Sequence, residues 1–192
     1  YFIDDDKISD PMVLANMKLA ADTPSDVILF NIDAKSESDS KSNKDAIVNV
    51  FLKVFNNIQG FCGAVPYVAD LERQLFDQGR FEEYKQKYEE IAGVSWLASR
   101  QDFLMTQDDV VDTLVEMDFM SEQAAWNWCE KATGDYSISI EDFAKRVNAY
   151  IDAKGNNHHV VFLVDEIGQY IADDTQLMLN LQTIVEDLGT AC

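Results

Sequence analysis

Two short and almost uninterrupted apolar runs constrain the fold of this chain more than any other feature. The first covers residues 27–33, and the second covers residues 158–166 and includes five consecutive apolar residues, Val160 to Val164. Runs of this length and composition are typical of strands that are buried on both faces, as in a parallel sheet covered by helices. Helical patterns flank both runs, so the sequence predicts an α/β fold with parallel strands near 27–33 and 158–165.

A long stretch without a strong strand signal separates the two predicted strands. It contains amphipathic spans that are typical of helices, at about 66–77, 80–91, 106–117, 121–131 and 140–153. We therefore predict that residues 1–60 form the first part of a core, residues 61–153 a largely helical insert, and residues 154–192 the second part of the core. From Phe61 to Ala153 the chain has 19 acidic and 8 basic residues, a net charge of −11.

Capping residues mark the predicted starts of three helices. Asp10 precedes Pro11, and this pair favours a helix start because the carboxylate accepts hydrogen bonds from free amides and proline fits the first turn. Ser121 and Ser139 are predicted N-caps for the same reason.

Two details of these helices are also predicted. The helix that follows Ser121 is expected to bury Ala125, Trp126 and Cys129 on one face. The last helix is expected over about 174–188 and is expected to end at Gly189, since glycine commonly terminates helices.

The composition is strongly acidic. The 192 residues include 15 Lys and Arg against 35 Asp and Glu, so the formal net charge is −20. This balance argues against ordinary contact with nucleic-acid phosphates or with an anionic membrane surface. No apolar run approaches the roughly 18 residues that span a bilayer, and the first residues do not form a signal peptide. Three widely separated cysteines, Cys62, Cys129 and Cys192, predict free thiols in a reducing compartment, the cytoplasm.

The second apolar run ends in Asp165 and Glu166, and the whole has the form of a Walker B motif. A rigid strand would deliver Asp165 to the carboxyl edge of the sheet, where ligands of open α/β folds bind. Asp165 would hold Mg²⁺, commonly through water, because Mg²⁺ retains part of its hydration shell. Glu166 would orient the water that attacks the γ-phosphate. The alternative is that both acids cap the next helix or are simply solvated.

The sequence does not contain the phosphate-binding loop that a Walker B strand requires. A Walker A loop has the pattern G-x-x-x-x-G-K-[ST], and none of the eight glycines is followed by lysine. Either the acids at 165–166 are not a Walker B pair, or the phosphate-binding loop lies outside this sequence.

Other polar residues near the strand ends are weaker candidates. Asn31, Asp33 and Lys35 follow the first strand, at the edge where the acids of a neighbouring strand would lie, and they could reach a nucleotide or a partner subunit. His158 and His159 are adjacent on a strand, so their side chains point to opposite faces and cannot chelate one metal together.

Four stretches resemble the large P-loop ATPases of BREX phage-defence systems, the BrxC/PglY family. They are DKISDPMVLANMKLAA (6–21), VILFNIDAKS (27–36), GNNHHVVFLVDEIGQYI (155–171) and LMLNLQTIVEDLG (177–189). The resemblance implies a partial AAA-like P-loop NTPase core that uses ATP and Mg²⁺, with the strands at 27–33 and 160–166 as its second and third strands. It also implies that Asp165 is the Mg²⁺-side aspartate and Glu166 the catalytic glutamate.

The same resemblance implies that the chain is an internal fragment whose phosphate-binding loop lies upstream of Tyr1. Such a fragment is expected to bind no nucleotide and to be inactive alone. The fourth core strand would lie beyond Cys192, which would leave an open edge on the strand at 160–164 and favour self-association. The expected partners are other defence-system subunits or a second copy of the chain.

Two other functions remain open from the residues. The chain could be an acidic helical module that binds basic partners or imitates DNA, which the net charge of −20 favours. It could also be a purely structural domain in which the acids at 165–166 cap a helix. A surface rich in acidic residues is by itself a common means of keeping proteins soluble.

Overall fold

A computed structural model of the chain describes Ile3 and residues 7–32, 46–155 and 157–191. Helices account for 69% of these residues, and the sheet that they contain has two parallel strands. The predicted α/β class is therefore confirmed at this level, as a mixed fold with a helical bulk. None of the described helices combines the length and the apolar character needed to cross a bilayer.

The elements follow one another along the chain with short connections where the structure describes them. In order they are α1 (Pro11–Asp22), β1 (Ser25–Asn31), α2 (Ala46–Ile58), α3 (Pro66–Asp77), α4 (Phe81–Ala92), α5 (Trp96–Ser99), a 3₁₀ helix (Arg100–Met105), α6 (Gln107–Glu116), α7 (Glu122–Ala132), α8 (Ile140–Lys154), β2 (His159–Asp165), α9 (Ile167–Ile171) and α10 (Thr175–Ala191).

The chain divides into two compact units. The first comprises residues 1–48 and 139–192 and contains the sheet, and the second comprises residues 49–138 and is helical. The division of the chain into a two-part nucleotide-binding core and an insert remains a prediction.

The three predicted N-caps are confirmed. The side chains of Asp10, Ser121 and Ser139 each accept a hydrogen bond from a backbone amide in the first turn of α1, α7 and α8, at 2.8, 3.3 and 3.0 Å respectively. Each bond satisfies an amide that has no partner within its own helix. Helix α1 also has the predicted Pro11 in its first turn, although none of its residues is buried.

The two strands pair in parallel, from Ser25 opposite His159 to Asn31 opposite Asp165. One face of the sheet points inward, where the ring of Phe162 contacts the ring of Phe143 on α8, with 6.3 Å between centroids. The other face is exposed: Leu29 is 73% and Leu163 is 48% accessible. The prediction that both faces are buried is therefore wrong for the outer face, since no described element covers it.

The core of the second unit forms mainly where the sequence predicts helices. The buried side chains on the predicted helices include Leu71, Leu75, Tyr84, Tyr88, Val110, Leu114, Ala125 and Cys129. Trp96 and Phe103 join them from α5 and the 3₁₀ helix, which the sequence did not predict. Trp126 is an exception, because it is exposed and the buried face of α7 uses Ala125, Cys129 and Ala132 instead. The prediction that Trp126 is buried is wrong, since a residue one position along a helix points about 100° away from its neighbour.

A fully buried carboxylate organises one side of this second core. Glu72 on α3 accepts hydrogen bonds from the backbone N–H of Cys62 at 2.5 Å, from Nε1 of Trp96 at 2.7 Å and from Nη1 of Arg100 at 2.9 Å. Burial of a charge is costly unless it is paired and hydrogen-bonded, and Glu72 meets both conditions. The carboxylate thereby links α3 to α5 and to the 3₁₀ helix.

Gly189 does not end the last helix, which continues to Ala191. The prediction fails because Gly189 does not take the positive φ that a terminating glycine adopts, whereas Gly93 at the end of α4 does. Cys62 and Cys129 are free and buried, and burial raises the pKa of the Cys129 thiol to about 11. Cys192 lies outside the described residues.

Candidate functional site

Asp165 and Glu166 lie at the carboxyl end of β2. Asp165 is the last residue of the strand, and α9 begins one residue after Glu166. The Oδ1 atom of Asp165 accepts a hydrogen bond from the backbone N–H of Glu166 at 2.8 Å. Both side chains belong to exposed residues, so their carboxylates are accessible from solvent.

Asn31 brings the end of β1 to the same place. It is the partner of Asp165 in the parallel register, and its Nδ2 atom donates a hydrogen bond to Oε2 of Glu166. The carboxyl ends of the two strands therefore form one polar edge, which we call the carboxylate edge and define by Asn31, Asp165 and Glu166. Asp33 and Lys35, which the sequence placed near this edge, lie outside the described residues.

The backbone at Glu166 adopts a left-handed conformation, with φ 60° and ψ 22°. For a residue with a Cβ atom this region costs about 1 kcal/mol, and such residues are frequent at functional sites. The conformation turns the chain sharply between β2 and α9. The Glu166 side chain therefore does not follow the alternating directions of the side chains along the strand, and this allows it to contact Asn31.

The carboxylate edge suits Mg²⁺ better than it suits a metal ion whose ligands all come from the protein. Within the described ranges, no group of three or more His, Cys, Asp or Glu side chains could hold a metal ion. Mg²⁺ does not need such a cage, because it usually takes one or two carboxylates together with water and substrate phosphates. Asp165 supplies a donor of this kind, because one of its oxygens accepts the backbone hydrogen bond and the other is available to the ion.

A second polar cluster lies at the opposite end of the strands. Oδ2 of Asp26 accepts a hydrogen bond from the hydroxyl of Tyr150 at 2.6 Å and lies 2.9 Å from Nε2 of His158 and 3.6 Å from Nζ of Lys154. The Tyr150 hydrogen bond holds the pKa of Asp26 below its usual value, and His158 and Lys154 act in the same direction, while burial opposes them. We call these four residues the Asp26 cluster.

Sequence reasoning missed the Asp26 cluster, although a signal was present. Asp26 precedes the first apolar run and His158 begins the second, and the amino ends of neighbouring parallel strands meet at one edge. The structure shows that Pro24 accepts a backbone hydrogen bond from His159 there. The register that pairs Asp26 with Val160 places His158 two residues away on the same face of the sheet, within reach of Asp26.

No protein-family model matches the chain, and no solved structure matches it at a significant level. A function for the chain therefore has to be inferred from its own residues.

Proposed function

We propose that this chain contributes the Walker B carboxylates of a P-loop ATPase, in which Asp165 holds Mg²⁺ and Glu166 orients the attacking water. The observation that carries the proposal is the position of this pair at the carboxyl end of β2, beside the carboxyl end of the parallel strand β1. Ligands of open α/β sheets bind in the crevice outside this edge. The exposed carboxylates are accessible to a triphosphate approaching from there.

Asp165 and Glu166 have different roles in this proposal. When bound, Mg²⁺ supplies positive charge against the β- and γ-phosphates. Asp165 contributes one carboxylate to the hydration shell of the ion and keeps its orientation through the bond from the Glu166 amide. Glu166 acts by position, as a carboxylate that accepts a hydrogen bond from water and aligns it.

Asn31 supports the role of Glu166. Its amide occupies Oε2 of the glutamate, which leaves Oε1 as the oxygen that can accept a hydrogen bond from water. A neutral amide donor also fixes the carboxylate without adding a charge that would compete with Mg²⁺. In this proposal Asn31 is a positioning residue.

The phosphate-binding loop has to come from another part of a longer protein, since the sequence contains no Gly-Lys dipeptide. The resemblance of residues 155–171 to the BREX ATPases supports a parent protein of that kind, which uses ATP in defence against phages. The chain of 192 residues alone is then inactive toward ATP.

ATP turnover by the longer natural protein tests the proposal. The Glu166→Gln variant is expected to retain ATP binding and to lose at least about 100-fold in turnover, which is the usual contribution of a positioned acid or base. Asp173→Asn is the matched control, because Asp173 is an exposed acid just beyond α9. Normal turnover by Glu166→Gln would contradict the proposal, as would ATP hydrolysis by the 192-residue chain alone.

One observation favours a second function, that of an acidic module that binds other proteins. Leu97, Leu104 and Met105 are exposed on α5 and the 3₁₀ helix, within a helical unit that is rich in acidic residues. Exposed apolar side chains among acidic residues suit a basic amphipathic partner. Normal turnover by Glu166→Gln, combined with loss of a partner from Leu104→Lys, would favour this function over the first.

A further inference from the structure

The first unit contains a cavity of about 320 Å³ between β2, α8 and α10. Its apolar wall consists of Val147 and Ile151 on α8, Val160 and Phe162 on β2, and Leu188 on α10. Val147 is buried, and the other four side chains of this wall are partly exposed. The volume lies within the range of small-molecule sites, about 300–1,000 Å³.

Gly189 opens one side of this cavity. It lies inside α10, where glycine is less favourable than alanine, and a Cβ atom added there would meet no atom within 4 Å. The helix backbone therefore has no side chain covering it where it borders the cavity. A flat molecule can therefore approach α10 more closely at Gly189 than it could if this position carried a side chain.

His158 and His159 provide the polar wall of the cavity, and His158 is held by the Asp26 cluster. Its Nε2 atom lies 2.9 Å from Oδ2 of Asp26, which also accepts from the Tyr150 hydroxyl at 2.6 Å. A carboxylate accepts hydrogen bonds, so Nε2 carries a ring N–H in this contact, and in the neutral tautomer that this selects Nδ1 is the acceptor. Within the described part of the chain, Nδ1 of His158 makes no hydrogen bond.

The charge of the chain restricts what can occupy this cavity. With 35 acidic and 15 basic residues, the protein repels anions, and Asp26 lies directly behind His158. The apolar wall favours an aromatic or aliphatic body, and Nδ1 favours one O–H donor. An uncharged molecule with a ring and a hydroxyl group satisfies all three conditions.

We propose that this cavity binds a small uncharged phenol-type molecule, whose ring lies against Val160, Phe162 and Leu188 and whose hydroxyl donates to Nδ1 of His158. The site is separate from the carboxylate edge, because its lining on β2 ends at Phe162, three residues or about 10 Å before Asp165. It takes a ligand of a different class from a nucleotide.

Calorimetric titration of the full chain with p-cresol, and with toluene as the probe that lacks the hydroxyl, tests this site. p-Cresol is expected to bind about tenfold more tightly than toluene, which corresponds to one buried hydrogen bond. Gly189→Leu projects a four-carbon side chain into the cavity and is expected to abolish binding of both probes. Thr190→Leu adds the same side chain one residue along and is expected to leave binding unchanged. His158→Phe is expected to remove only the preference for p-cresol.

Three outcomes would overturn the proposal. They are the absence of p-cresol binding at millimolar concentration, unchanged binding by Gly189→Leu, and equal affinity of the wild-type chain for the two probes. Circular dichroism of each variant shows whether it has folded. If Gly189→Leu does not fold, Gly189→Ala replaces it. This variant is expected to weaken the affinity for both probes by about threefold, because it removes part of the open volume.

Discussion

Asn31 lies opposite Asp165 in the last residue pair of the parallel β1–β2 ladder, and its side-chain amide donates to the glutamate that follows. The first strand therefore takes part in the carboxylate edge, although it has no acid of its own there within the described residues. β2 and the residue that follows it supply the two carboxylates, and β1 holds one of them in place. This arrangement makes Asn31 the most informative position for testing the geometry of the edge without any nucleotide.

Asn31→Asp is expected to destabilise the chain in a pH-dependent way. The new carboxylate would face that of Glu166. Repulsion between the two should lower the free energy of unfolding by about 1 kcal/mol more at pH 8 than at pH 4, because acid favours sharing of a proton between two facing carboxyl groups. Urea unfolding at the two pH values measures this difference. Asn31→Ala removes the amide without adding charge, and equal stability of the two variants at both pH values would contradict the contact.

Asp26→Asn should destabilise the chain at neutral pH but not in acid. The pKa of Asp26 is lowered from 3.8 by the Tyr150 hydrogen bond, with His158 and Lys154 acting in the same direction. A lowered pKa gives stability that is fully present above about pH 4 and is lost as the pH falls further. We expect a loss of about 1–2 kcal/mol at pH 7 that shrinks below pH 4. Chemical unfolding across this pH range measures the loss of stability, with the exposed Asp22→Asn as control. A loss of stability that does not depend on pH would refute the prediction.

Glu72→Ala is expected to be among the most damaging substitutions in the second unit. It removes the ion-pair partner of Arg100 and leaves the Trp96 indole and the Cys62 amide without an acceptor, which should cost about 3–5 kcal/mol. The control is Glu82→Ala, which removes a surface pair with Lys85 and should cost less than about 1 kcal/mol. Thermal unfolding compares the two variants, and similar melting temperatures would show that the buried network contributes little.

The chain is expected to associate with itself through the sheet. Val27, Leu29, Val161 and Leu163 form an exposed apolar outer face, and in the described residues each strand has one unpaired edge. Leu29→Lys should weaken the dimer at least about tenfold, because it replaces a large apolar contact with a charge. Sedimentation velocity over a range of concentrations measures this, with Met105→Lys as a control in the second unit. A wild-type chain that stays monomeric at high concentration would refute the prediction.

Local sequence signals predicted the local structure well. Asp10, Ser121 and Ser139 act as caps because a cap depends only on the residues of one helical turn. The predictions that Trp126 and the outer face of the sheet are buried were wrong, since burial depends on what lies against an element in space. The sequence indicated that Asn31 and the acids share an edge, but the specific bond to Glu166 requires the register and the left-handed turn.

The two units also differ in how far apart along the chain their contacts lie. Asn31 and Glu166 touch although they are 135 residues apart, whereas the second unit is a single continuous segment, residues 49–138. Closing a long loop costs more entropy than closing a short one, and long-range pairing slows folding. Amides of the second unit should therefore gain protection first in pulsed hydrogen exchange, and those of β1 and β2 last. The edge that bears the carboxylates would then be the last part of the chain to form during synthesis and refolding.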